Sequence, residues 1–457
     1  MSRIRFLLAL WASRLCKALI HIVAPGRGTS LPGSIALKLD PGFIGHFRAV
    51  DKGKIIYITG TNGKSTTTNL LAAIMRQAGK KAAVNLEGVN LAAGVAVTMM
   101  EHSSLSGRFR EEYIIMETDE RFLPIISRQM PPAWLCVTNI QKDQVQRNGE
   151  PDIIYRKIGE AIRPETVLFL NNEEPISRSL AEKVKKAVYY GVAENGGSFR
   201  KEGEYLTTVP CPRCSAPIQF FRYNVDNVGP FRCTGCGYAS AEEPDYLIRE
   251  VSSEERTFKL GEKTYPLPYD TPYFLYCYAA ALAIAGEAGI SEDDRAAAMG
   301  GFVNIGGRLE CLHFGSKTVN YIRMKQENPE TLQSALDHIA RDEKEKIFML
   351  GLDELVDFDP HYTNTFYAFD CDLDKLIASN VCRYICFSGT VAYDAANRLV
   401  YAGVPRERIS VLPTNDDETI LSELAKYDCD NVYLITWLHK YESLEKYVRE
   451  HGKEAQA

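Results

Sequence analysis

Lys54-Ile55-Ile56-Tyr57-Ile58-Thr59-Gly60-Thr61-Asn62-Gly63-Lys64-Ser65-Thr66 is the stretch on which the reading of this chain turns. Lys54 to Gly60 is apolar and β-branched and predicts a strand, whereas Ser65 to Gly79 predicts a helix. A strand, a glycine loop and a helix in that order form the setting that a nucleotide phosphate loop needs. Gly60 and Gly63 let backbone N–H groups curl round phosphate oxygens, and the helix N-terminus adds positive potential. Lys64 supplies a point charge, Ser65 a hydroxyl for Mg²⁺, and Thr61, Asn62 and Thr66 complete the expected ATP cradle. The competing reading, a glycine turn entering a helix, gives Lys64-Ser65 no packing purpose. The common P-loop spacing would also place glycine at position 58, where this chain has Ile58.

Working outward, the alternation continues with Tyr113 to Met116 (strand), Leu123 to Met130 (helix), Trp134 to Thr138 (strand), Ile153 to Ala161 (helix) and Thr166 to Leu170 (strand). Such repetition predicts an α/β fold with a parallel sheet covered on both faces. Tyr273 to Ala288 reads as an alanine-rich helix, and Asn304-Ile305-Gly306-Gly307 as an interdomain hinge, because paired glycines permit backbone turns that other residues resist. Beyond it Thr331 to Ala340 and Ala392 to Ala402 (helices) alternate with strands at Lys346 to Leu350, Tyr384 to Phe387, Ile409 to Leu412 and Val432 to Thr436. The expected organisation is an N-terminal helical or extended segment (1–45), a central ATP-binding domain (46–303) with an insert at about 205–240, and a smaller Rossmann-like α/β domain (304–457).

Two short motifs follow strands, where ligands of an open α/β sheet gather. In Glu117-Thr118-Asp119-Glu120 a carboxylate, Glu117 first, can hold Mg²⁺. In Thr138-Asn139-Ile140-Gln141-Lys142-Asp143-Gln144, Asn139 and Asp143 can touch the triphosphate or a second metal. Each alone is equally well read as a solvated loop; beside the phosphate loop they make a two-metal ATP site. In such a site Mg²⁺ and Lys64 neutralise the γ-phosphate while a substrate oxygen attacks it, with no protein nucleophile required.

The insert carries Cys211-Pro212-Arg213-Cys214 and Cys233-Thr234-Gly235-Cys236, two CxxC pairs with 18 residues between them. That spacing predicts a structural Zn²⁺ held by four thiolates; a redox pair is the alternative, but neither CxxC opens a helix after a strand. Arg213, Arg222 and Arg232 are too few for a basic stripe, and the net charge of −6 argues against nucleic-acid binding. The remaining cysteines of the 12, Cys382 and Cys386 among them, read as buried thiols of a reducing cytoplasm. A chain of 457 residues, 45% hydrophobic and 25% charged, has the composition of a globular protein with several domains. Met1 to Ala24 is apolar and basic, but its uncharged run, Phe6 to Ser13, is too short to span a bilayer. Phe6, Leu7, Leu10, Leu15 and Leu19 either pack one helical face on the protein or rest on the inner membrane surface.

The Thr59-to-Ser65 loop resembles those of Mur ligases and folylpolyglutamate synthetases, which join a carboxylate to an amine through an acyl phosphate. Thr29-Ser30-Leu31-Pro32-Gly33, Leu37 to Pro41, the two motifs above, the four-cysteine insert, and Ser388-Gly389-Thr390-Val391-Ala392-Tyr393-Asp394 with Tyr401-Ala402-Gly403-Val404 extend this across nearly the whole chain. Together they resemble the MurT-type branch of the Mur ligase family. The resemblance implies a heterodimer with a GatD-type glutaminase that converts the α-carboxylate of D-glutamate in lipid II to D-isoglutamine. It implies phosphate and magnesium roles for Lys64 and Ser65, magnesium for Glu117, the second acidic segment for Asn139 and Asp143, an interdomain arginine at Arg308, and zinc for the four cysteines. It also implies an aspartate completing the partner's catalytic centre; Asp353, Asp357 and Asp359 are candidates by position, Asp359 taken first. One departure is Tyr273 to Tyr278, where the family carries asparagines. Alternatives are a Mur-type ligase acting on another carboxylate without a glutaminase, and a non-catalytic nucleotide-binding partner.

Overall fold

A computed structural model describes residues 3–23, 30–85, 90–142, 150–200, 209–225, 227–270, 272–302, 309–322, 328–352 and 366–451. The chain divides into two compact units, Met1–Gln141 with Glu150–Asn304, and Lys142–Gly149 with Ile305–Ala457. Asp143, Arg308, the 304–307 hinge, and Asp353, Asp357 and Asp359 lie outside the described residues.

The first unit opens with helices α1 (Arg3–Val23) and α2 (Leu31–Leu39). It continues with β1 (Ile55–Thr59), α3 (Lys64–Gln77), β2 (Ala82–Val84), α4 (Ala92–Glu101), β3 (Tyr113–Glu117), α5 (Leu123–Gln129), β4 (Trp134–Val137), α6 (Pro151–Ala161), β5 (Val167–Asn171) and β6 (Lys186–Val192). After the insert strands β7 (Ile218–Phe220) and β8 (Phe231–Cys233) come β9 (Tyr246–Ser252), β10 (Thr257–Leu260), β11 (Lys263–Pro266), α7 (Pro272–Glu287) and α8 (Glu292–Gly300). Nine strands make one sheet in the order β11-β10-β9-β6-β5-β4-β1-β3-β2. The strands from β2 to β9 in that order pair in parallel; β9, β10 and β11 add an antiparallel edge.

Every residue of β1 is buried, as expected of a central parallel strand covered on both faces. Ile56 and Ile58 join a core with α3 and α7, while Ile55 and Tyr57 face a second core with α1, α4 and α5. Residues 1–45 contribute to this second core through Phe6, Leu10, Ala36 and Phe43. The sequence reading had grouped Leu15 and Leu19 with Phe6, Leu7 and Leu10 on one face. Phe6 and Leu10 are buried but Leu15 and Leu19 are exposed, because residues 9 positions apart on a helix are rotated by about half a turn.

The second unit holds β12 (Leu309–Phe314), β13 (Lys317–Ile322), α9 (Pro329–Ala340), β14 (Lys346–Gly351), β15 (Val381–Phe387), α10 (Ala392–Tyr401), β16 (Ile409–Leu412), α11 (Asp417–Leu424), β17 (Asn431–Ile435) and α12 (Leu438–His451). Its sheet runs β12-β13-β17-β14-β15-β16, parallel except for the β12–β13 hairpin. One face packs on α9 and α10, the other on α11 and α12. Asn328 and Asp416 start two of these helices by accepting from the N–H of Thr331 at 2.8 Å and Thr419 at 2.8 Å.

Candidate functional site

The phosphate loop lies at the carboxyl end of β1, between the ends of β3 and β4, where the sheet places Thr59 beside Val137 and Ile58 beside Glu117. Gly60 (φ +122°) and Gly63 (φ +85°) adopt backbone angles that other residues resist. Space demands glycine too: a Cβ at Gly60 would collide with Thr138 and Asn139, and one at Gly63 would come within 2.9 Å of Cys277 Sγ.

Lys64 is 7% exposed and folds back over the loop. Its ammonium donates to the Gly60 carbonyl, to Thr61 O at 3.1 Å and to Glu120 Oε1 at 2.8 Å. Glu120 Oε1 also accepts from Gly60 N–H at 3.1 Å. An anion therefore already sits on the backbone and lysine donors that phosphate oxygens would use. Sequence reasoning singled out Glu117 and missed this role of Glu120, since a pairing across 56 residues leaves no local signal.

Glu117 ends β3 and is 3% exposed. Asn85 grips its backbone from both sides, accepting from Glu117 N at 2.7 Å and donating to Glu117 O at 2.8 Å. The Glu117 carboxylate accepts a 3.3 Å bond from Asn90 Nδ2. A buried carboxylate so weakly bonded suits a hard divalent cation. Ser65, exposed at the first turn of α3, offers a second oxygen donor. Asp119 is occupied elsewhere: burial raises its carboxyl, but Arg121 forms bonds of 3.0 Å to both oxygens and holds it below the usual carboxylate range.

Asn139 and Gln141 serve the loop itself. Asn139 Oδ1 accepts from Asn62 N at 2.9 Å and its Nδ2 donates to Asn62 O at 3.1 Å. Thr61 N donates to Asn139 O at 2.9 Å, Gln141 N to Thr61 Oγ1 at 2.9 Å, and Asn62 Nδ2 to Gln141 Oε1 at 2.9 Å. The side chain of Asn139 thus clamps the phosphate loop from behind. Thr66 is buried in the first turn of α3.

Residues 139–141 are in turn held by Glu174, a fully buried carboxylate that no sequence motif announced. Glu174 accepts from Ile140 N at 3.1 Å, Ile176 N at 2.9 Å and Ser177 N at 2.8 Å. Burial raises its pKa against those bonds. Its neighbour Glu173, also raised by burial, accepts from Tyr276 OH at 2.5 Å and Val192 N at 3.0 Å. Tyr276 belongs to the stretch that departs from the family pattern. Tyr273 OH reaches Gln141 Oε1 at 3.3 Å and Cys277 Sγ reaches Gly63 O at 3.6 Å, so this face of α7 abuts the loop with phenols and a thiol.

The insert folds as the β7–β8 hairpin over a small core of Ile218, Phe231 and Tyr238. The Sγ atoms of Cys211, Cys214, Cys233 and Cys236 lie within 4.8 Å of one another, Cys211 to Cys236 at 3.7 Å and Cys214 to Cys233 at 3.5 Å. Four thiolates at the ~2.3 Å zinc–sulfur length stand about 3.8 Å apart in a tetrahedron, so the donors fit such an ion. Cys233 accepts from Gly235 N at 3.3 Å and Cys236 N at 3.4 Å, and these N–H bonds lower its thiol to about 6. The insert is tied to the sheet by Tyr238 OH to Pro175 O at 2.9 Å and by Asn172 bonding both ways with Ala241.

Comparison with known proteins adds ancestry to this geometry. Residues 58–213 match the family model described as Mur ligase middle domain, and residues 326–441 match that described as MurT ligase C-terminal. The chain is 26% identical over 421 residues, 90% of each chain, to the lipid II isoglutaminyl synthase (glutamine-hydrolyzing) subunit MurT of Streptococcus pneumoniae (strain ATCC BAA-255 / R6). It is 27% identical over 384 residues, 83% of this chain and 84% of the other, to the protein of that name from Staphylococcus aureus (strain COL). In fold it is similar to a pseudomurein peptide ligase type C from Methanothermus fervidus, with a TM-score of 0.62 and 18% identity over 87% of this chain and 78% of that one. With one model seated on the phosphate-loop unit, another on the unit that follows, and relatives aligned through both, this chain is similar along most of its length to Mur ligases, and to those of the MurT type.

Proposed function

We propose that the chain is the ATP-using subunit of a glutamine-dependent amidating enzyme, acting on the α-carboxylate of D-glutamate in lipid II at the cytoplasmic face of the membrane. The observation that carries this reading is the phosphate loop itself, with Gly60 N–H and buried Lys64 gathered on one anionic group and Glu117 at the neighbouring strand end. When a triphosphate enters, its oxygens take the donors that Glu120 now occupies. Lys64 then neutralises the γ-phosphate as charge develops. Mg²⁺, when bound, screens the phosphates further, and Ser65 and Glu117 are the residues that would hold it. Arg308 is the proposed second cation.

A carboxylate oxygen attacks the γ-phosphorus, the bond from phosphorus to the bridging oxygen breaks, and ADP leaves with that electron pair. Ammonia attacks the acyl phosphate carbon; the carbon–oxygen bond breaks, and phosphate departs with a proton from the amine. The names of the relatives include glutamine hydrolysis and a subunit designation, which supports a separate GatD-type glutaminase as the source of ammonia. Asp359, or Asp353 or Asp357, is the proposed contribution to that partner's centre. The four cysteines are proposed to hold a structural zinc.

Carboxylate labelled with ¹⁸O tests the chemistry. One labelled oxygen from each amidated carboxylate is expected in inorganic phosphate by mass spectrometry. Phosphate released without label during amidation would exclude an acyl phosphate.

A further inference from the structure

Helix α1 is apolar on two opposite faces, and only one of them is used. Phe6, Ala9, Leu10 and Ser13 are buried, with Phe6 packed against Phe43 and Phe47 at ring distances of 5.2 and 5.1 Å. On the opposite side Ile4, Leu8, Trp11, Leu15, Leu19 and Ile22 are each between 51% and 77% exposed. At about 100° per residue, these six fall in an arc of roughly 80° centred opposite the buried face. Leu105, 65% exposed, extends the stripe, because Trp11 Nε1 donates to Leu105 O at 2.9 Å. A continuous bare stripe of this kind is unusual on a monomer and marks a contact surface.

The charges around it select the partner. In a chain of net charge −6, α1 contains Arg3, Arg5, Arg14 and Lys17 and not one acidic residue. Arg48 approaches the same Ser106 carbonyl that Arg3 binds, and its backbone bridges Arg108. Glu101 answers Lys17; Arg3 and Arg14 donate to carbonyls and a hydroxyl, neutral acceptors that leave their positive charge in place. No helix among the described residues is long and apolar enough to cross a membrane. We infer that α1 lies in the plane of an anionic lipid surface, with Trp11 and its apolar neighbours in the acyl boundary and the arginines at the headgroups.

The test is cosedimentation of the full chain with phosphatidylglycerol–phosphatidylcholine vesicles, without nucleotide, precursor or partner, so its result is independent of which carboxylate the enzyme takes. Binding is expected to be at least about tenfold stronger than to pure phosphatidylcholine, to weaken in high salt, and to blue-shift a fluorescence component absent from Trp11→Phe. Leu8→Glu with Leu15→Glu, both at exposed positions, should lower binding at least about tenfold while the thermal melt is kept. Arg48→Gln with Arg108→Gln should remove the preference for anionic lipid. Absence of binding, or binding indifferent to both double variants, overturns the inference. So does self-association in sedimentation equilibrium that the Leu8 and Leu15 changes abolish in place of vesicle binding, since the stripe would then belong to a second copy.

Discussion

Lys64→Ala is expected to lower ATP-dependent turnover roughly 100- to 1,000-fold, the usual cost of removing one donor aimed at charge that develops in the transition state. Lys64 is placed for that role by its surroundings. It is buried, starts α3, and is held between the carbonyls of Gly60 and Thr61 and the carboxylate of Glu120. The alanine variant leaves Glu120 buried without its cation, so Lys64→Ala combined with Glu120→Gln keeps the reading clean. If the double variant melts like the parent and is as inactive as the single one, the loss lies in catalysis. Glu174→Ala is the paired comparison. Glu174 touches no phosphate position but anchors Ile140, and through it Asn139 and Gln141 behind the loop. Its loss should raise KM for ATP more than it lowers kcat. Steady-state kinetics on the three variants separate a charge that acts from a scaffold that positions.

Removing zinc should unfold the insert selectively. Its apolar core holds few residues, Ile218, Phe231 and Tyr238 beside two of the cysteines, too little to order a hairpin with loops. If the ion supplies even ~3 kcal/mol of local stability, its loss raises the open population on the order of 100-fold. Purified protein should contain zinc in equimolar amount, and Cys233→Ser should lose it. Trypsin should then cut at Arg213, Arg222 or Arg232 far faster than elsewhere. Because the insert is tied to Asn172 and Pro175, on either side of Glu174, KM for ATP should rise as well. Zinc-free protein with unchanged proteolysis would mean that the four thiols are spectators.

The phosphate loop was legible in the sequence because its physics is local: positive φ angles need glycine, and a lysine at a helix start needs an anion. The cysteine cluster was legible because two CxxC turns each aim two thiols at one point. Glu120 and Glu174 were not, since what makes them matter is burial against partners 56 and 34 residues away. Asn139 was expected to touch the triphosphate or a second metal; its bonds to Asn62 across the loop were not foreseen. The antiparallel edge formed by β9, β10 and β11 escaped reading because its strands are half-exposed and mix charged with apolar residues. For α1 both the packed and the membrane-facing readings were open in the sequence, but which residues take which face was not legible. Apolar residues on both faces look alike in sequence, and only the fold decides which face finds a neighbour.

Lipid II amidation most directly tests the central claim, that this ligase converts a carboxylate to an amide with ammonia delivered by a partner. The protein is incubated with lipid II, ATP and Mg²⁺, with either ammonia or glutamine, each with and without a GatD-type glutaminase, and the precursor is weighed by mass spectrometry. The account predicts a loss of about 1 Da, the replacement of a hydroxyl by an amino group, with ammonia alone, and with glutamine only when the glutaminase is present. An unchanged lipid II mass with ammonia, while ATP is hydrolysed in the presence of another carboxylate, would contradict it.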